Sequence, residues 1–247
     1  MSTRHLYVVD ECFEALGRLS YPNTHFLYFD TSTSCDFLKN YIPGFYPFVE
    51  VRKWKWNDHP FGMMRDIKRE FARIVLEEDY DYWLCVDVDT IITEDSLSRL
   101  VEQAEENLYD VIGMVQPHGW CKLKQPCVMK DFSIKLGSSG WMSKWNWYDW
   151  DEIKQLDGET IKCAYCGVSP TLFSRNVLKN VKWEFDKEFM FGEDIRFLMD
   201  CYNKGIDVYC DTSLQAQHKN TAWENLITKK WEKPTGKEIG NPLWNSK

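Results

Sequence analysis

An apolar segment that ends in two closely spaced carboxylates restricts the fold more than any other feature of this sequence. Residues 82–86 are Tyr-Trp-Leu-Cys-Val, and Asp87 and Asp89 follow at once with only Val88 between them. A short apolar run bounded by polar residues is typical of a buried strand. Because ionised carboxylates are costly to bury unpaired, we expect both to emerge where the strand ends. In open α/β sheets this carboxyl edge is where ligands bind.

The residues alone leave three interpretations of the Asp87-Val88-Asp89 turn open. The carboxylates could cap the helix that follows, because such residues are common helix caps. They could hold a divalent ion, since Mg²⁺ and Mn²⁺ prefer oxygen ligands and such an ion often meets substrate phosphates. Asp87 could also be the nucleophile of a phosphatase, because an apolar strand followed by D-x-D-x-T also opens the haloacid-dehalogenase fold.

Length and charge narrow the class of protein. A chain of 247 residues is long enough for one large domain with a sizeable core. Its 30 basic and 38 acidic residues give a net charge of -8, which argues against a nucleic-acid partner. The first ten residues lack the apolar region of a signal peptide, and no apolar run is long enough to be a transmembrane segment. We therefore expect a cytoplasmic protein.

The nine cysteines are predicted to be reduced thiols. Their number is odd, and the chain shows no secretion signal. Cys163 and Cys166 form the one C-x-x-C motif. Together with Cys121 and Cys127 they could form a zinc site, but the spacing is irregular for one. We favour free thiols.

The hydrophobic pattern of the first half predicts alternating strands and helices. A helical stretch is expected up to Leu16, a second one from Pro60, and a third with Thr93 as its N-cap. Strands are predicted at His5–Val9, His25–Phe29, Phe48–Val51 and Tyr109–Val115. This alternation is typical of a parallel α/β unit.

The segment from Gln116 to about Ile161 loses this periodicity and is rich in aromatic residues. A long aromatic loop in a compact domain is usually functional. Indole rings can stack on the apolar faces of sugars, although packing in the core is the alternative. Four tryptophans fall within ten residues of this segment, at Trp141, Trp145, Trp147 and Trp150.

Regular secondary structure is predicted again after this segment, from Cys163 onwards. A short helix is expected from Ser174, and Glu193 and Asp194 stand at the start of another helix that Gly205 would end. Strands are predicted at Ile206–Cys210 and Leu214–His218. Adjacent carboxylates at a helix start could merely suit the helix dipole, or they could face a ligand.

The order of these signals resembles that of GT-A-fold glycosyltransferases that use nucleotide sugars. The similarity is greatest to the large family that includes cellulose, hyaluronan and dolichol-phosphate-mannose synthases, and it covers about Leu6 to His218. The run Asp30–Asp36 resembles that family's acidic turn after its second strand, Met64–Asp89 resembles its helix and D-x-D block, and Gly192–His218 resembles its G-E-D helix and terminal histidine. The Q-x-x-R-W signature of processive synthases is missing, so we do not expect a polymerising enzyme.

The resemblance implies an α/β GT-A fold with a Rossmann-like, mostly parallel central sheet flanked by helices. One catalytic domain would cover residues 1–247. Residues 1–115 would form the half that binds the nucleotide sugar, residues 116–220 the half that binds the acceptor, and residues 221–247 a C-terminal tail.

The resemblance also implies roles for the donor-side residues. Asp89 would be a direct ligand of Mn²⁺ or Mg²⁺, Asp87 would support it or meet the ribose, and His218 would be a further ligand. Asp30 would accept a hydrogen bond from the nucleobase. The donor-binding set predicted in this way is Asp30, Arg65, Lys68, Asp87, Val88 and Asp89, with Arg65 and Lys68 near the diphosphate.

On the acceptor side, the resemblance makes Asp194 the general base and places Glu193 on the acceptor or donor sugar. The tryptophans at positions 141, 145, 147 and 150 would line the acceptor site. The resemblance thus implies a metal-dependent hexosyl- or deoxyhexosyltransferase that moves a sugar from a nucleoside-diphosphate sugar to a hydroxyl of a glycan or other glycoconjugate, with inversion. The alternatives are a haloacid-dehalogenase-like phosphatase with Asp87 as nucleophile and a non-catalytic carbohydrate-binding protein.

Overall fold

The computed structural model describes residues 8–31, 37–55, 60–117, 125–131, 146–156, 158–185 and 192–219. Helices and strands alternate along these ranges. Their order is α1 (Val9–Gly17), β1 (Phe26–Asp30), α2 (Phe37–Phe45), β2 (Val49–Lys53), α3 (Pro60–Glu77), β3 (Tyr82–Cys85), β4 (Thr90–Ile91), α4 (Ser96–Asn107), β5 (Val111–Val115), β6 (Met129–Asp131), β7 (Asn146–Trp147), α5 (Trp150–Gln155), β8 (Thr160–Cys163), β9 (Thr171–Ser174), α6 (Arg175–Asn180), α7 (Glu193–Asn203), β10 (Val208–Gln215) and β11 (Gln217–His218). Among the described helices, none has both the length and the apolar character needed to cross a membrane.

A five-stranded sheet with the strand order β3-β9-β5-β10-β8 forms the centre of the fold. Strand β5 supplies its middle, and all five of its residues are buried. Val111 and Val115 pack into the core on one face, whereas Ile112 and Met114 pack on the other. This period of two on a strand that is covered on both faces explains why its sequence is continuously apolar.

Smaller sheets lie beside the central one. β1 and β2 form a separate parallel pair, β4 pairs with β11, and β6 pairs with β7, the last two antiparallel. Helix α3 packs against both β1 and β3, because Ile67 and Ile74 join a cluster with Phe29 while Ala72 and Val75 join the cluster of Trp83. The helix therefore holds the two-stranded sheet beside the central one.

The predicted fold class is confirmed, but the strand directions are more mixed than the sequence suggested. Strands β1–β2 and β5–β10 run parallel, as expected for alternating strands and helices. The other three pairings of the central sheet are antiparallel, because β9 enters between β3 and β5 and β8 lies on the outer edge of β10. The sheet is thus not mostly parallel.

Two local expectations were wrong. Val9 begins α1 instead of ending a strand, since Val9, Cys12 and Phe13 are buried together at helical spacing; residues 1–7 lie outside the described ranges. Thr93 does not cap α4, which begins at Ser96 after Asp95. The Thr93 hydroxyl donates to Asp95 Oδ1 at 2.7 Å instead.

The two strands predicted near the end of the chain are arranged differently as well. The polar residues between them are part of β10, with a register shift between Asp211 and Gln215. Thr212 is buried and its backbone N–H bonds the carbonyl of Glu159 at 3.0 Å, so the polar stretch continues the strand instead of forming a turn. The predicted helix stop at Gly205 is confirmed by its φ of 71°.

Gly113 provides a test of how the loop after β8 packs on β5. A Cβ at this position would lie 2.6 Å from both Cys166 Sγ and Thr171 Oγ1, which belong to fully buried residues. We expect Gly113→Ala to lower the free energy of unfolding by about 1–3 kcal/mol, as overpacking usually does. Urea denaturation measures it, with Gly44→Ala as control, because a Cβ at Gly44 would meet nothing within 4 Å. Equal stability of the two variants would contradict this packing.

Candidate active site

Charged residues lie at or just after the ends of β1, β2 and β3. Asp30 and Lys53 end their strands as register partners, and Asp87 follows the end of β3. A cavity of about 560 Å³ lies between β1, α3 and β3. Most of its wall is apolar, and Lys68 and Asp87 belong to its lining. The part of this cavity that Lys68 and Asp87 line, next to the end of β3, is therefore where we place the candidate site.

Asp89 and His218 come together where β4 pairs with β11. His218 lies opposite Thr90 in register, and the N–H of Lys219 donates to the carbonyl of Asp89 at 2.7 Å. His218 Nε2 lies 3.3 Å from Asp89 Oδ2, and both side chains are largely buried. The backbone pairing of two distant segments thus fixes a carboxylate beside an imidazole.

The second nitrogen of His218 determines how this pair can act. Nδ1 donates to the carbonyl of Pro117 at 3.2 Å, which directs Nε2 towards Asp89. Burial favours the neutral imidazole, but the hydrogen bond and charge of Asp89 outweigh it, so the pKa of His218 is raised. With Nδ1 protonated, Nε2 and the carboxylate both present lone pairs, and a proton or a cation between them relieves their repulsion.

Asp89 and His218 offer some, but not all, of the ligands that a divalent ion needs. Carboxylate oxygen and imidazole nitrogen are both ligands that Mn²⁺ accepts. Within the described ranges, no three His, Cys, Asp or Glu side chains are grouped so that they could hold a metal. Asp89 and His218 would therefore supply two ligands, and the remaining positions would have to come from substrate oxygens and water, as is usual where an ion is bound together with phosphates.

The turn that carries Asp87 is held by groups that the sequence did not reveal. The N–H of Asp87 donates to Ser169 Oγ at 2.6 Å, and Ser169 Oγ donates to Thr90 Oγ1 at 3.3 Å. Val88 is buried against Val9 and Cys12 of α1. No motif marks Ser169, because its role depends on β9 lying beside β3.

Asp30 is fully buried and ion-paired. Lys53 Nζ donates to Asp30 Oδ2 at 2.9 Å. Arg65, on the first turns of α3, pairs with its neighbour Asp66 at 2.7 Å. Lys53 was not among the predicted residues. It lies two residues after the predicted strand Phe48–Val51, and the parallel pairing of β1 with β2 is what brings it to Asp30.

Lys68 and Glu193 form a buried ion pair between α3 and α7. Lys68 Nζ lies 2.7 Å from Glu193 Oε1, and the two residues are only 4% and 5% exposed. The ammonium also lies 5.0 Å from the ring centre of Trp183. Burial acts against the charge of Lys68, but the attraction of Glu193 leaves the pKa of Lys68 above its ordinary value. Both charged groups, which we expected to contact substrate, have a partner inside the protein.

Asp194 follows Glu193 in the first turn of α7 and is held from two sides. The hydroxyl of Tyr165 donates to Asp194 Oδ2 at 2.7 Å, and the N–H of Ile195 donates to Oδ1 at 2.7 Å. A side chain at Gly192 would collide with Oδ1, since its Cβ would lie 2.3 Å away. Glycine before Glu193 therefore leaves room for this orientation of the carboxylate.

The predicted tryptophans are only partly within the described ranges. Trp141 and Trp145 lie outside them. Trp147 is in β7 and Trp150 begins α5, and both are half-buried against the core. The ring of Trp147 packs edge-on against Tyr165 with centroids 5.9 Å apart. Trp147 thus contacts Tyr165, and Tyr165 in turn contacts Asp194.

The predicted thiols that the structure describes are free and buried. Cys163 and Cys166 are buried and free, as is Cys127. They belong to no group of metal-binding side chains among the described residues. Cys121, the remaining residue of the zinc alternative, lies outside the described ranges.

Comparison with known proteins shows similarity at the level of structure. No family model matches the chain, and no curated protein sequence matches it. The structure is similar to residues 1–349 of TarS from S. aureus in complex with UDP-GlcNAc, with a TM-score of 0.51, 14% identity, and coverage of 89% of this chain and 59% of that one. It is also similar to GalNAc-T7 with UDP, GalNAc and Mn²⁺, with a TM-score of 0.60, 11% identity, and coverage of 85% and 41%.

The chain therefore spans less than two thirds of the length of either of these neighbours. At such low identity the similarity establishes the fold alone. The chain has the GT-A fold, with a mixed central sheet and flanking helices.

The Lys68–Glu193 pair can be tested through stability. Replacing one member leaves the other as an uncompensated buried charge, which usually costs about 3–5 kcal/mol. We expect Lys68→Met to lower the free energy of unfolding by about this amount, and Lys68→Met with Glu193→Leu to recover much of it. Lys154→Met is the control, because Lys154 forms an exposed pair with Asp151. Urea denaturation in which Lys68→Met is as stable as that control would contradict the burial of the pair.

Proposed function

We propose that this protein is a metal-dependent glycosyltransferase. It transfers a hexosyl or deoxyhexosyl group from a nucleoside-diphosphate sugar to a hydroxyl of a glycan or glycoconjugate. The contact of 3.3 Å between His218 Nε2 and Asp89 Oδ2, at the edge where the D-x-D turn meets the last described strand, carries this proposal. It unites an oxygen and a nitrogen ligand in a fold whose neighbours were crystallised with UDP-GlcNAc, or with UDP and Mn²⁺.

On the donor side, Asp89 and His218 hold the ion, and Asp87 supports them or meets the ribose. The ion, when bound, supplies the positive charge that stabilises the leaving diphosphate. Asp30 is the proposed contact for the nucleobase at the end of β1. Because its side chain is fully buried against Lys53 at 2.9 Å, the base would have to displace this lysine. Arg65, which is partly exposed near the start of α3, is proposed to attract the diphosphate. Residues 1–115 form the proposed donor half.

On the acceptor side, Asp194 is the proposed general base. It takes the proton of the acceptor hydroxyl while that oxygen bonds to the anomeric carbon and the bond from this carbon to the phosphate oxygen breaks, which inverts the configuration. Glu193 acts through Lys68, whose ammonium it holds at 2.7 Å, and so fixes the first turn of α7. Trp147 and Trp150, with Trp141 and Trp145, are proposed to bind the acceptor in the half formed by residues 116–220.

The two alternatives receive less support. A phosphatase that used Asp87 as nucleophile would need a free lysine nearby, whereas Lys68 in the same cavity is paired with Glu193. A non-catalytic carbohydrate-binding protein could use the tryptophans, but it would not require the contact between Asp89 and His218.

Metal-linked nucleotide binding is the first test. We expect UDP or GDP to raise the Tm only together with Mn²⁺, because the ion would join the diphosphate to Asp89 and His218. A ligand at a hundred times its Kd stabilises a protein by about 2.7 kcal/mol, which a Tm measurement detects. Asp89→Asn and His218→Ala should each remove most of this shift. Asp207→Asn is the control, because Asp207 pairs with Lys162 on the surface. An undiminished Mn²⁺-linked shift in Asp89→Asn would rule out the metal assignment.

The second test concerns Asp194. We expect Asp194→Asn to slow nucleotide release from the donor sugar by about a hundred- to ten-thousand-fold, the usual contribution of a general base, while nucleotide binding is retained. Asp200→Asn is the control, because Asp200 lies on the same helix and pairs with Arg196 at 3.0 Å. NMR of the product gives the anomeric configuration. Release at the wild-type rate, or a product that retains the donor configuration, would exclude Asp194 as the base.

A further inference from the structure

Tyr165 lies in the C-x-x-C run and is anchored from several directions. Its carbonyl accepts a hydrogen bond from the N–H of Met129 at 2.7 Å, and the N–H of Ala164 donates to the carbonyl of Met129 at 2.8 Å. Met129 is fully buried and is the register partner of Trp147 in the β6–β7 hairpin. The backbone of Tyr165 is therefore fixed to that hairpin.

The ring of Tyr165 is fixed as well. Only 6% of the residue is exposed, and the ring of Trp147 packs edge-on against it. Burial and the charge of Asp194 raise the pKa of the Tyr165 phenol, so its hydroxyl keeps its proton at neutral pH. A rigid hydroxyl donor thus points at one oxygen of the Asp194 carboxylate at 2.7 Å.

This contact restricts the carboxylate without using up its capacity. An ionised carboxylate has about four acceptor positions on its two oxygens. Tyr165 takes one on Oδ2, and the N–H of Ile195 takes one on Oδ1. Bonds to both oxygens fix the plane of the group, and each oxygen keeps a further acceptor position for a substrate hydroxyl.

We propose that Tyr165 is the positioning residue of the general base: its hydroxyl holds the Asp194 carboxylate in the orientation that proton transfer requires. The inference rests on the proposed function and adds to it a connection from the β6–β7 hairpin, which carries Trp147, to the reacting group. The tyrosine is not a catalytic residue, because it acts on substrate only through Asp194.

The test uses Tyr165→Phe, which removes the hydroxyl and keeps the ring. Nucleotide release is followed with Mn²⁺ and the best of UDP-glucose, UDP-GlcNAc and GDP-mannose. We expect kcat to fall by about tenfold to a hundredfold, the equivalent of a hydrogen bond to a charged group, while the donor KM stays within about twofold of wild type. In the Asp194→Asn background the same substitution should have no further effect, because residues that act as one unit are not additive.

Tyr46→Phe is the matched control. It removes the same kind of bond, from a tyrosine hydroxyl to Asp10 Oδ1 at 2.9 Å, in a part of the chain away from Asp194. We expect this variant to keep the wild-type kcat. A Tyr165→Phe protein with wild-type kcat, or an equal further loss in the Asp194→Asn background, would overturn the inference.

A second measurement keeps the inference testable if Tyr165→Phe does not fold. Incorporation of 3-fluorotyrosine at position 165 keeps the hydroxyl, and its fluorine NMR signal should shift when Asp194→Asn is introduced. An unchanged signal would disprove the contact. Failure of the wild-type protein to release any nucleotide would instead overturn the proposed function, and the inference with it, so the two failures are distinguishable.

Discussion

The buried ion pair between Lys68 and Glu193 is the interaction on which the arrangement of the site depends. It joins α3, which packs on β1 and β3, to the first turn of α7, which carries Asp194. Two charges in the core are costly unless each is compensated, and here they meet at 2.7 Å with the face of Trp183 beside the ammonium. Because separating the two groups would leave each as a buried charge, the pair restricts the relative position of the two helices. The candidate base is thereby placed with respect to the strand that delivers Asp87.

The contact between Asp89 and His218 is positioned by the backbone instead of by an ion pair in the core. Its position comes from backbone pairing, since β4 and β11 are antiparallel and the N–H of Lys219 donates to the carbonyl of Asp89. The side chains then face each other because the other imidazole nitrogen is bound to Pro117. In the proposed function, a charged site built on strand ends would need little movement to accept a cation, and such preorganisation would favour the stabilisation of a charged leaving group.

The sequence predicted the parts of the fold that depend on local pattern. The strand before Asp87, the helix from Pro60 and the stop at Gly205 follow from periodicity and turn chemistry, and the structure contains all three. Partners across the fold could not be predicted in this way. Nothing in the sequence near Lys68 or Glu193 says that each is the other's counter-ion, since their contact exists only after α3 and α7 pack. Ser169 and Lys53 were missed for the same reason, and Val9 was placed in a strand because a β-branched residue suits either element until its burial is known.

The C-x-x-C run illustrates how the structure changes the meaning of a motif. Its thiols pack in the core. Cys166 Sγ occupies the space beside Gly113, and a side chain at position 113 would collide with it. Close packing of small side chains against the sheet brings the intervening Tyr165 within reach of α7, and its hydroxyl finds the carboxylate of Asp194. A buried hydroxyl without a hydrogen bond is costly, and a bond to a carboxylate is stronger than one to a neutral acceptor. The requirement to satisfy one buried polar atom thus orients the group to which we assign the chemistry, which links the packing of the sheet to the proposed mechanism.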